Sequence, residues 1–449
     1  MSDDLPDEVI VNILQRLPVN SIINCMCVCK LWKSLISSQY FITTHLNFTL
    51  CNTRPHLLFR HYDLNLEKYR LTLHSSIDPF PRNHFYKALD LTFQTFFLRL
   101  LDYKEALDKG FFAFPLDFID LPCLHHIIIR FSTIVGSYNG ILCLTDDELD
   151  SEDFDLFVLC NPSIHKAICL PVPNIRFNSH GPFYPSRGFG YDPTTRDYKV
   201  VRIAYLETES KTVPVPTLVE IYTLSTGVWR YVNPPGPPGL IPDRTIPVFL
   251  NGAVHWLGHT DPNIKGKEDD PNGKGKKDGI FRNVIVVFDM VHEVFNKVMA
   301  VPESLERVKH LRMGVAVVGD GSLALVPCSS VVVNDEVDSN SVWVMREYGV
   351  AESWTRLFDF NVLGGIERVV GFKKNGEVLV VTNAYDHRLL CYDPRSGTIW
   401  NPHILCPTGS LYLDTFVKSL VLLDVTDGVL GRQVVNNSST SSKGKEKIN

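Results

Sequence analysis

Residues 5–18 have the sequence LPDEVIVNILQRLP, which is typical of a short amphipathic helix bounded by prolines. Pro6 suits the first helical position, where the missing N–H costs no hydrogen bond. Asp7 and Glu8 follow in the first turn, where carboxylates complement the helix dipole. Pro18 ends the predicted helix. Between the prolines, the apolar positions recur at helical spacing: Val9, Ile10, Ile13, Leu14 and Leu17.

Residues 19–46 predict two further helices. Ser21 can cap the first of them. Its apolar stripe returns every three or four residues, at Ile22, Met26, Cys29, Trp32 and Ile36. The short third helix carries Phe41, Ile42 and Leu46. A three-helix unit of about 45 residues buries too little surface to be secure alone. Part of its apolar surface is therefore expected to dock against a partner.

This segment resembles the F-box of the large plant F-box family. The likeness runs through residues 5–10, 13–18 and 27–36, and then Phe41, His45 and Leu46. It implies binding to the Skp-family adaptor of a Skp–cullin–F-box ubiquitin ligase, and through that adaptor to the cullin. By position, the implied adaptor contacts are Leu5, Pro6, Val9, Ile13, Leu17, Pro18, Val28, Trp32 and Leu35. The alternative is that these side chains form only the module's own core.

After residue 46 the sequence changes to short runs of Val, Ile, Leu, Phe and Tyr between turn residues, as in all-β folds. Tight-turn dipeptides lie between apolar runs and predict two-residue hairpins. They are Asn139-Gly140, Asn251-Gly252, Asp320-Gly321 and Asn375-Gly376. Repeats of roughly 40–50 residues with about four strands each are typical of propeller blades. Five blades are predicted near residues 130–172, 187–233, 245–302, 310–360 and 366–402, and residues 47–128 are expected to supply at least one more.

The β-rich body resembles the kelch-type or F-box-associated interaction domain that follows plant F-boxes. The likeness rests on residues 136–143, 160–163, 188–192, 197–201, 219–222 and 251–256. Paired-glycine kelch signatures are absent from the sequence, which favours the F-box-associated type. The fold class expected is a small all-α F-box of three helices followed by a large all-β domain, a six- or seven-bladed β-propeller.

The expected organisation is an F-box at 1–46, a first blade or linker at 47–128, a propeller-like F-box-associated domain at 129–425 and a disordered tail at 426–449. Residues 411–423 are expected to supply a last strand that pairs with an early strand and closes the ring. Residues 261–279 are rich in Lys, Asp, Gly, Pro and Asn, and are expected to form an exposed loop.

Composition excludes several classes of protein. The 449 residues are 45% hydrophobic and 21% charged, as in ordinary globular chains, and the formal net charge is −6. No basic stripe suggests a nucleic-acid partner. The acidic start lacks a signal peptide, and no apolar run approaches the ~20 residues of a membrane span. We therefore expect a soluble cytoplasmic or nuclear protein that binds neither nucleic acid nor membrane.

Four groups of residues are candidates for a chemical site. Alternate cysteines on a helix (Cys25, Cys27 and Cys29) point in different directions and cannot converge on one metal. His255 is expected to pack or to form a local hydrogen bond. The acidic stretch 146–155 lacks the offsets of a calcium loop, and Gly314, Gly319 and Gly321 belong to a hairpin without a helix N-terminus that could hold an anion. No catalytic, cofactor-binding or metal-binding residue is predicted.

The resemblance therefore implies a non-catalytic substrate-recognition subunit whose β-domain binds a target protein for ubiquitination and degradation. An F-box scaffold or decoy that acts outside a ligase is an alternative, and a catalytic propeller is a more remote one. Some relatives are S-locus proteins that recognise ribonucleases, and the acidic net charge would suit such a basic target. The residues that read the target are not predicted.

Overall fold

The structure is a computed structural model of the whole chain. It describes residues 6–63, 68–75, 133–145, 157–207, 217–232, 236–242, 245–260, 281–296, 298–308, 313–319, 321–327, 341–360, 366–382, 388–402 and 412–425. The predicted loop at 261–279, the acidic stretch at 146–155, the predicted tail at 426–449 and residues 76–128 of the predicted first blade or linker lie outside these residues.

Four helices form the N-terminal part of the chain, which we call the head. They are α1 (Asp7–Leu14), α2 (Val19–Cys25), α3 (Lys30–Ile36) and α4 (Gln39–Asn52). Helix α1 begins at Asp7, one residue later than predicted, because Pro6 is its N-cap, and α2 is preceded by Pro18 rather than by the predicted cap Ser21.

The expectation of three helices is wrong because the predicted second helix is two. Residues 26–28 form a turn, and Cys29 adopts an extended backbone (φ −157°, ψ 166°) with its side chain accepting the Trp32 N–H. A cap of this kind starts a new helix after the turn. The apolar stripe continues through the break, so its periodicity did not reveal it.

The rest of the described chain is β-rich. Its strands form six antiparallel sheets, five of which we call blades 1–5 and the sixth the closing sheet. The closing sheet contains β1 (His56–Asp63), β2 (Lys68–Ser75) and β24 (Tyr412–Phe416). Blade 1 contains β3 (Thr133–Tyr138), β4 (Ile141–Thr145), β5 (Phe157–Asn161) and β6 (Lys166–Cys169), and blade 2 contains β7 (Phe183–Asp192), β8 (Asp197–Leu206), β9 (Thr217–Thr223) and β10 (Val228–Tyr231). Blade 3 contains β11 (Val248–Leu250), β12 (Ala253–His259), β13 (Asn283–Asp289), β14 (Val294–Phe295) and β15 (Met299–Ala300).

Blade 4 contains β16 (Met313–Val318), β17 (Ser322–Pro327), β18 (Ser341–Met345) and β19 (Trp354–Asp359). Blade 5 contains β20 (Ile366–Phe372), β21 (Val378–Thr382), β22 (Leu389–Asp393) and β23 (Thr398–Trp400). Short helices α5 (Phe177–His180) and α6 (Glu303–Glu306), and 3-10 turns at Pro162–Ile164 and Ala351–Ser353, lie in the connections.

Neighbouring sheets contact one another in a closed ring, so the body is a β-propeller as expected. The five blade positions predicted from the repeats are confirmed. The expected count of six or seven blades is corrected to five: within the described residues, the sixth sheet has three strands and is assembled from both ends of the chain. The predicted closing strand is confirmed, because β24 pairs with β1 from His56↔Phe416 to Arg60↔Tyr412. This pairing covers an edge of β1 that would otherwise be free.

The hairpin turns are of two kinds. Asn139-Gly140 and Asn251-Gly252 form the predicted two-residue loops, with positive φ at both residues. The other two predicted hairpins have longer loops, at residues 319–321 and 373–377. Gly140 also leaves no room for a side chain, since a Cβ there would lie 2.5 Å from the Val417 carbonyl oxygen.

The head sits at one end of the ring, which we call the head end. Antiparallel strands alternate in direction, so the first and third connections of each blade lie at one end and the second at the other. The third connection of blade 1, Pro162–Ile164, contacts α2. The tight hairpin turns therefore lie at the head end, and the connections from β4 to β5 and from β12 to β13 leave from the opposite end.

The ring core lies between adjacent sheets. In blade 2, Gly188 and Gly190 let β7 approach blade 3 closely, because a Cβ at Gly190 would lie 2.5 Å from Phe249 and one at Gly188 2.7 Å from Trp256. Lys199 joins the same two blades: its Nζ donates to Asp192 at 2.7 Å and to the Met290 carbonyl at 2.8 Å. Burial by itself would raise the pKa of Asp192, but hydrogen bonds led by that from Lys199 lower it to about 2.

Candidate functional site

The head divides its apolar side chains between a buried side and an exposed side. In α1, Ile10 and Leu14 are four residues apart and share the buried face. Val9 and Ile13 have the same spacing on the neighbouring face, where they are 40% and 52% exposed. The buried side of the head is completed by Val11, Val19, Ile22, Ile36, Phe41, Ile42 and Leu46. Helix α1 therefore supplies both core and free apolar surface.

The turn between α2 and α3 exposes a second apolar patch. Val28 is 65% exposed and Leu31 58%. The Cys29 sulfur accepts the Trp32 N–H at 3.4 Å, which starts α3 after this turn. Trp32 itself is half-buried and packs against the head core. The break in the predicted second helix thus separates side chains that face solvent from those that face the core.

The predicted adaptor contacts fall into three groups. Pro6, Val9, Ile13, Pro18 and Val28 are exposed. Leu17, Trp32 and Leu35 are half-buried against the head core. Leu5 lies outside the described residues. Their role in binding stays a prediction.

Leu31 was missed by the sequence analysis, although it is more exposed than Val9 or Ile13. Val28 lies in the turn before α3 and Leu31 at the start of that helix, so no helical spacing in the sequence singled Leu31 out. We call Pro6, Val9, Ile13, Val28 and Leu31 the exposed apolar residues of the head; Tyr40 and Leu50 on α4 are also exposed but do not belong to this group.

The head is packed onto the ring. Its buried side chains belong to the same hydrophobic cluster as blades 1 and 2 and the segment Leu420, Val421 and Leu422. Blade 1 holds that segment in place, because the Asn161 amide donates to the carbonyls of Ser419, at 3.0 Å, and Val421, at 2.7 Å. Within the head, His45 Nε2 lies 3.0 Å from the Leu17 carbonyl, and burial lowers the pKa of His45, so the neutral ring donates this bond. These contacts fix the direction in which the exposed residues point.

Other candidate groups have structural partners. His255 is fully buried, its Nε2 lies 2.6 Å from the Tyr348 hydroxyl of blade 4, and burial lowers its pKa to about 4. The expectation that His255 has a packing role is confirmed, although its hydrogen bond is not local. Burial raises the pKa of the Cys160 and Cys391 thiols to about 12, which keeps them protonated and unreactive. Over the described parts of the chain, no three His, Cys, Asp or Glu side chains are placed to hold a metal ion. No described helix has the length and apolar character needed to cross a membrane.

Both parts of the chain match known families. The F-box domain model matches residues 2–44, and the F-box associated beta propeller domain model matches residues 120–404. The chain therefore belongs to the F-box proteins that carry an F-box associated β-propeller domain. The sequence-based expectation of this family, and of the F-box-associated rather than the kelch type, is confirmed.

Curated relatives from Arabidopsis thaliana match along most of their length. F-box protein At4g22390 is 25% identical over 93% of this chain and 90% of its own length. F-box protein At3g07870 is 24% identical over 88% and 86%, and F-box protein CPR1 is 24% identical over 93% and 89%. Among solved structures, a xylan beta-1,4-xylosidase from Bacillus halodurans is 8% identical over 62% of this chain and 51% of its own, with a TM-score of 0.31. A likeness at that TM-score supports no inference about function.

Proposed function

We propose that this protein is the substrate-recognition subunit of a Skp–cullin–F-box ubiquitin ligase. In this proposal, the head binds the Skp-family adaptor through its exposed apolar residues, and the propeller binds a target protein. The observation that carries the proposal is the presence, in an F-box domain, of four large apolar side chains that are 40–65% exposed: Val9, Ile13, Val28 and Leu31.

Exposed apolar side chains on short helices suit a helix-docking interface. Docking removes their apolar surface from water, which contributes favourably to binding. The same side chains contribute little to the fold of the isolated chain, because the buried side of the head is already filled by other residues. Their exposure is therefore better explained by a partner than by the stability of the chain.

The placement of the head supports a division of labour. The head and the tight hairpin turns share one end of the ring, which leaves the opposite end free of the head. A target bound to the propeller would then be held at a fixed position relative to the adaptor. Such tethering raises the local concentration of target lysines near the ubiquitin-carrying enzyme. The chemistry of ubiquitin transfer belongs to other subunits, and no catalytic step is assigned to this chain.

The test is co-expression of the full chain with a Skp-family adaptor and a cullin, followed by purification through a tag on the adaptor. The head variant is Ile13→Asp with Leu31→Asp, which places two charges among the exposed apolar residues. The matched control is Ile399→Asp with Leu357→Asp, which makes the same changes at propeller positions that are 43% and 39% exposed.

We expect the wild type and the control to co-purify with the adaptor, and the head variant to be lost from the complex while keeping its circular dichroism spectrum. A folded head variant that still co-purifies in full would refute the proposed interface. A wild type that binds the adaptor but recruits no cullin would instead indicate a function outside a ligase.

A further inference from the structure

A cavity of about 1020 Å³ lies inside the ring, and we call it the channel. Its lining comes from all six sheets, chiefly from β3, β11, β16, β20 and β24. Cavities that bind small molecules measure roughly 300–1,000 Å³, are mostly apolar and hold a few placed polar groups. The channel is of that size and kind.

Arg368, on β20, is a polar group in the channel wall without a partner. Its Nε atom is buried, and within the described residues its side chain makes no hydrogen bond or ion pair. A buried guanidinium N–H without a partner is costly, so each such group calls for an explanation. The other lysine and arginine side chains of the wall are differently placed: Lys373 is paired with Glu377 at 2.7 Å, and Lys374 is exposed.

The backbone of β20 is irregular on both sides of Arg368. Its register against β21 shifts between Ile366 and Arg368, and again between Val369 and Gly371. Bulges of this kind re-aim side chains and are over-represented next to functional sites. The two register shifts are a second, independent indication that this part of β20 forms a functional site.

Asp414, on β24, also lines the channel, but its carboxylate is already well bonded. It accepts from the Tyr412 hydroxyl at 2.9 Å and from the Thr415 N–H at 2.7 Å. The polar group in need of a partner is thus the cation and not the carboxylate. An anionic ligand would supply the missing hydrogen-bond acceptor and the opposite charge.

Asp414 does not lie at the level of Arg368. The side chain of Leu413 fills the space beside Gly371, so these two residues share one level of the channel. Asp414 lies one residue further toward the head end, whereas Arg368 lies three residues away in the opposite direction. At about 3.3 Å per residue, the two levels are separated by roughly 13 Å along the strands. A ligand anion at Arg368 would therefore be well clear of the Asp414 carboxylate.

The wall on the Arg368 side of the channel is largely apolar, although Thr245, His259 and Asn283 also line it. Strands β11 and β16 and the segment that precedes β11 contribute Ile246, Val248, Met313 and Val315 to the lining. These side chains offer no hydrogen bonds to a fully polar ligand, and they favour an apolar body attached to the anionic group.

We infer that the channel is a binding site for a small amphipathic organic acid, whose monoanionic head group pairs with Arg368 and whose aromatic or aliphatic body lies against the apolar wall. Guanidinium groups suit this role, because their fork of N–H donors matches a carboxylate with two parallel hydrogen bonds. The site is independent of the adaptor, so its test does not depend on the proposed ligase function.

The probe is 2-naphthoate, an aromatic carboxylate, compared with 2-naphthalenemethanol, which has the same rings and no charge. Binding of each to the full chain is measured by equilibrium dialysis at neutral pH. Arg368→Met removes the cation and keeps an apolar stem. Arg395→Met is the matched control, since Arg395 lies in an exposed turn of the same blade, at the head end and outside the channel lining. Ile246→Trp adds bulk to the channel wall at a residue that is 45% exposed.

We expect 2-naphthoate to bind saturably, and Arg368→Met to weaken it at least tenfold, which corresponds to ~1.4 kcal/mol, with less than about a twofold effect on the alcohol. Arg395→Met should bind both probes as the wild type does, and Ile246→Trp should weaken both. No saturable binding of 2-naphthoate, or equal losses in the two arginine variants, would overturn the inference. If Arg368→Met does not fold, Ile246→Trp decides: a folded Ile246→Trp variant with unchanged binding of both probes overturns it.

Discussion

Replacing three exposed apolar residues of the head by alanine should weaken adaptor binding without unfolding the chain. The variant is Ile13→Ala with Val28→Ala and Leu31→Ala, at positions that are 52%, 65% and 58% exposed. Burying a whole Val, Leu or Ile side chain contributes about 1.5–3 kcal/mol, so burying the exposed half of one contributes roughly 1 kcal/mol. The three together give about 3 kcal/mol, or on the order of a hundredfold in Kd.

The assay is isothermal titration of the full chain with a purified Skp-family adaptor. The control variant makes the same three replacements on the propeller, as Ile399→Ala, Val228→Ala and Leu357→Ala, where the exposures are 43%, 54% and 39%. Its Kd should match that of the wild type. If the head variant binds within about threefold of the wild type, the apolar docking argument is refuted. If both variants lose affinity equally, the surface of the head has no special role.

Three further predictions concern the ring. Burial raises the pKa of Asp414 from 3.8 to about 6, so the ionised carboxylate destabilises the fold as pH rises from about 4 to 6, by up to ~3 kcal/mol. Asp414→Asn should therefore raise the thermal unfolding midpoint at pH 7.5 but not at pH 4, and an equal effect at both would contradict this. Arg202→Met should lower the free energy of unfolding, measured with urea, by ~3–5 kcal/mol, because the buried Glu220 carboxylate, which lies 2.8 Å from the Arg202 guanidinium, loses its ion pair. Arg202→Met with Glu220→Gln should recover part of that loss. No recovery would mean that the loss of packing, and not of the ion pair, dominates. Gly190→Ala should lower the free energy of unfolding by about 1–3 kcal/mol, measured by thermal unfolding, because the added Cβ would overlap an aromatic ring of the next blade. Gly236→Ala, whose Cβ would have its nearest contact at 3.8 Å, should be nearly neutral. Equal effects of the two substitutions would refute the overpacking argument.

The sequence predicted the features of the ring that depend on local chemistry. Asn-Gly pairs favour positive φ at two successive residues, and both two-residue loops lie at such pairs, Asn139-Gly140 and Asn251-Gly252. At Asn375-Gly376 only the glycine has a positive φ, and the loop is longer. The length of that loop is set by the register of the two strands it joins. Register depends on both strands, so the dipeptide alone does not predict it.

The number of blades and the break in the predicted second helix could not be predicted from local sequence patterns. A sheet that takes β1 and β2 from one end of the chain and β24 from the other repeats no unit, so counting repeats does not show its size. The turn before Cys29 keeps the apolar stripe in phase, and sulfur is a weak acceptor outside the usual capping residues. The exposure of Leu31 follows from that turn. Which apolar residues of the head face water was therefore a question of packing rather than of sequence pattern.

Packing of the head onto the ring links stability to function. A helical unit of this size is marginal when alone, yet its core here is continuous with blades 1 and 2 and with Leu420, Val421 and Leu422. Because the ring completes that core, α1, α3 and the turn before α3 can leave Val9, Ile13, Val28 and Leu31 in water without losing the fold. A continuous core also resists bending, since packed interiors transmit displacement rather than absorb it. The head and the propeller should consequently move as one body, and a target on the propeller would keep a constant position relative to an adaptor bound to the head.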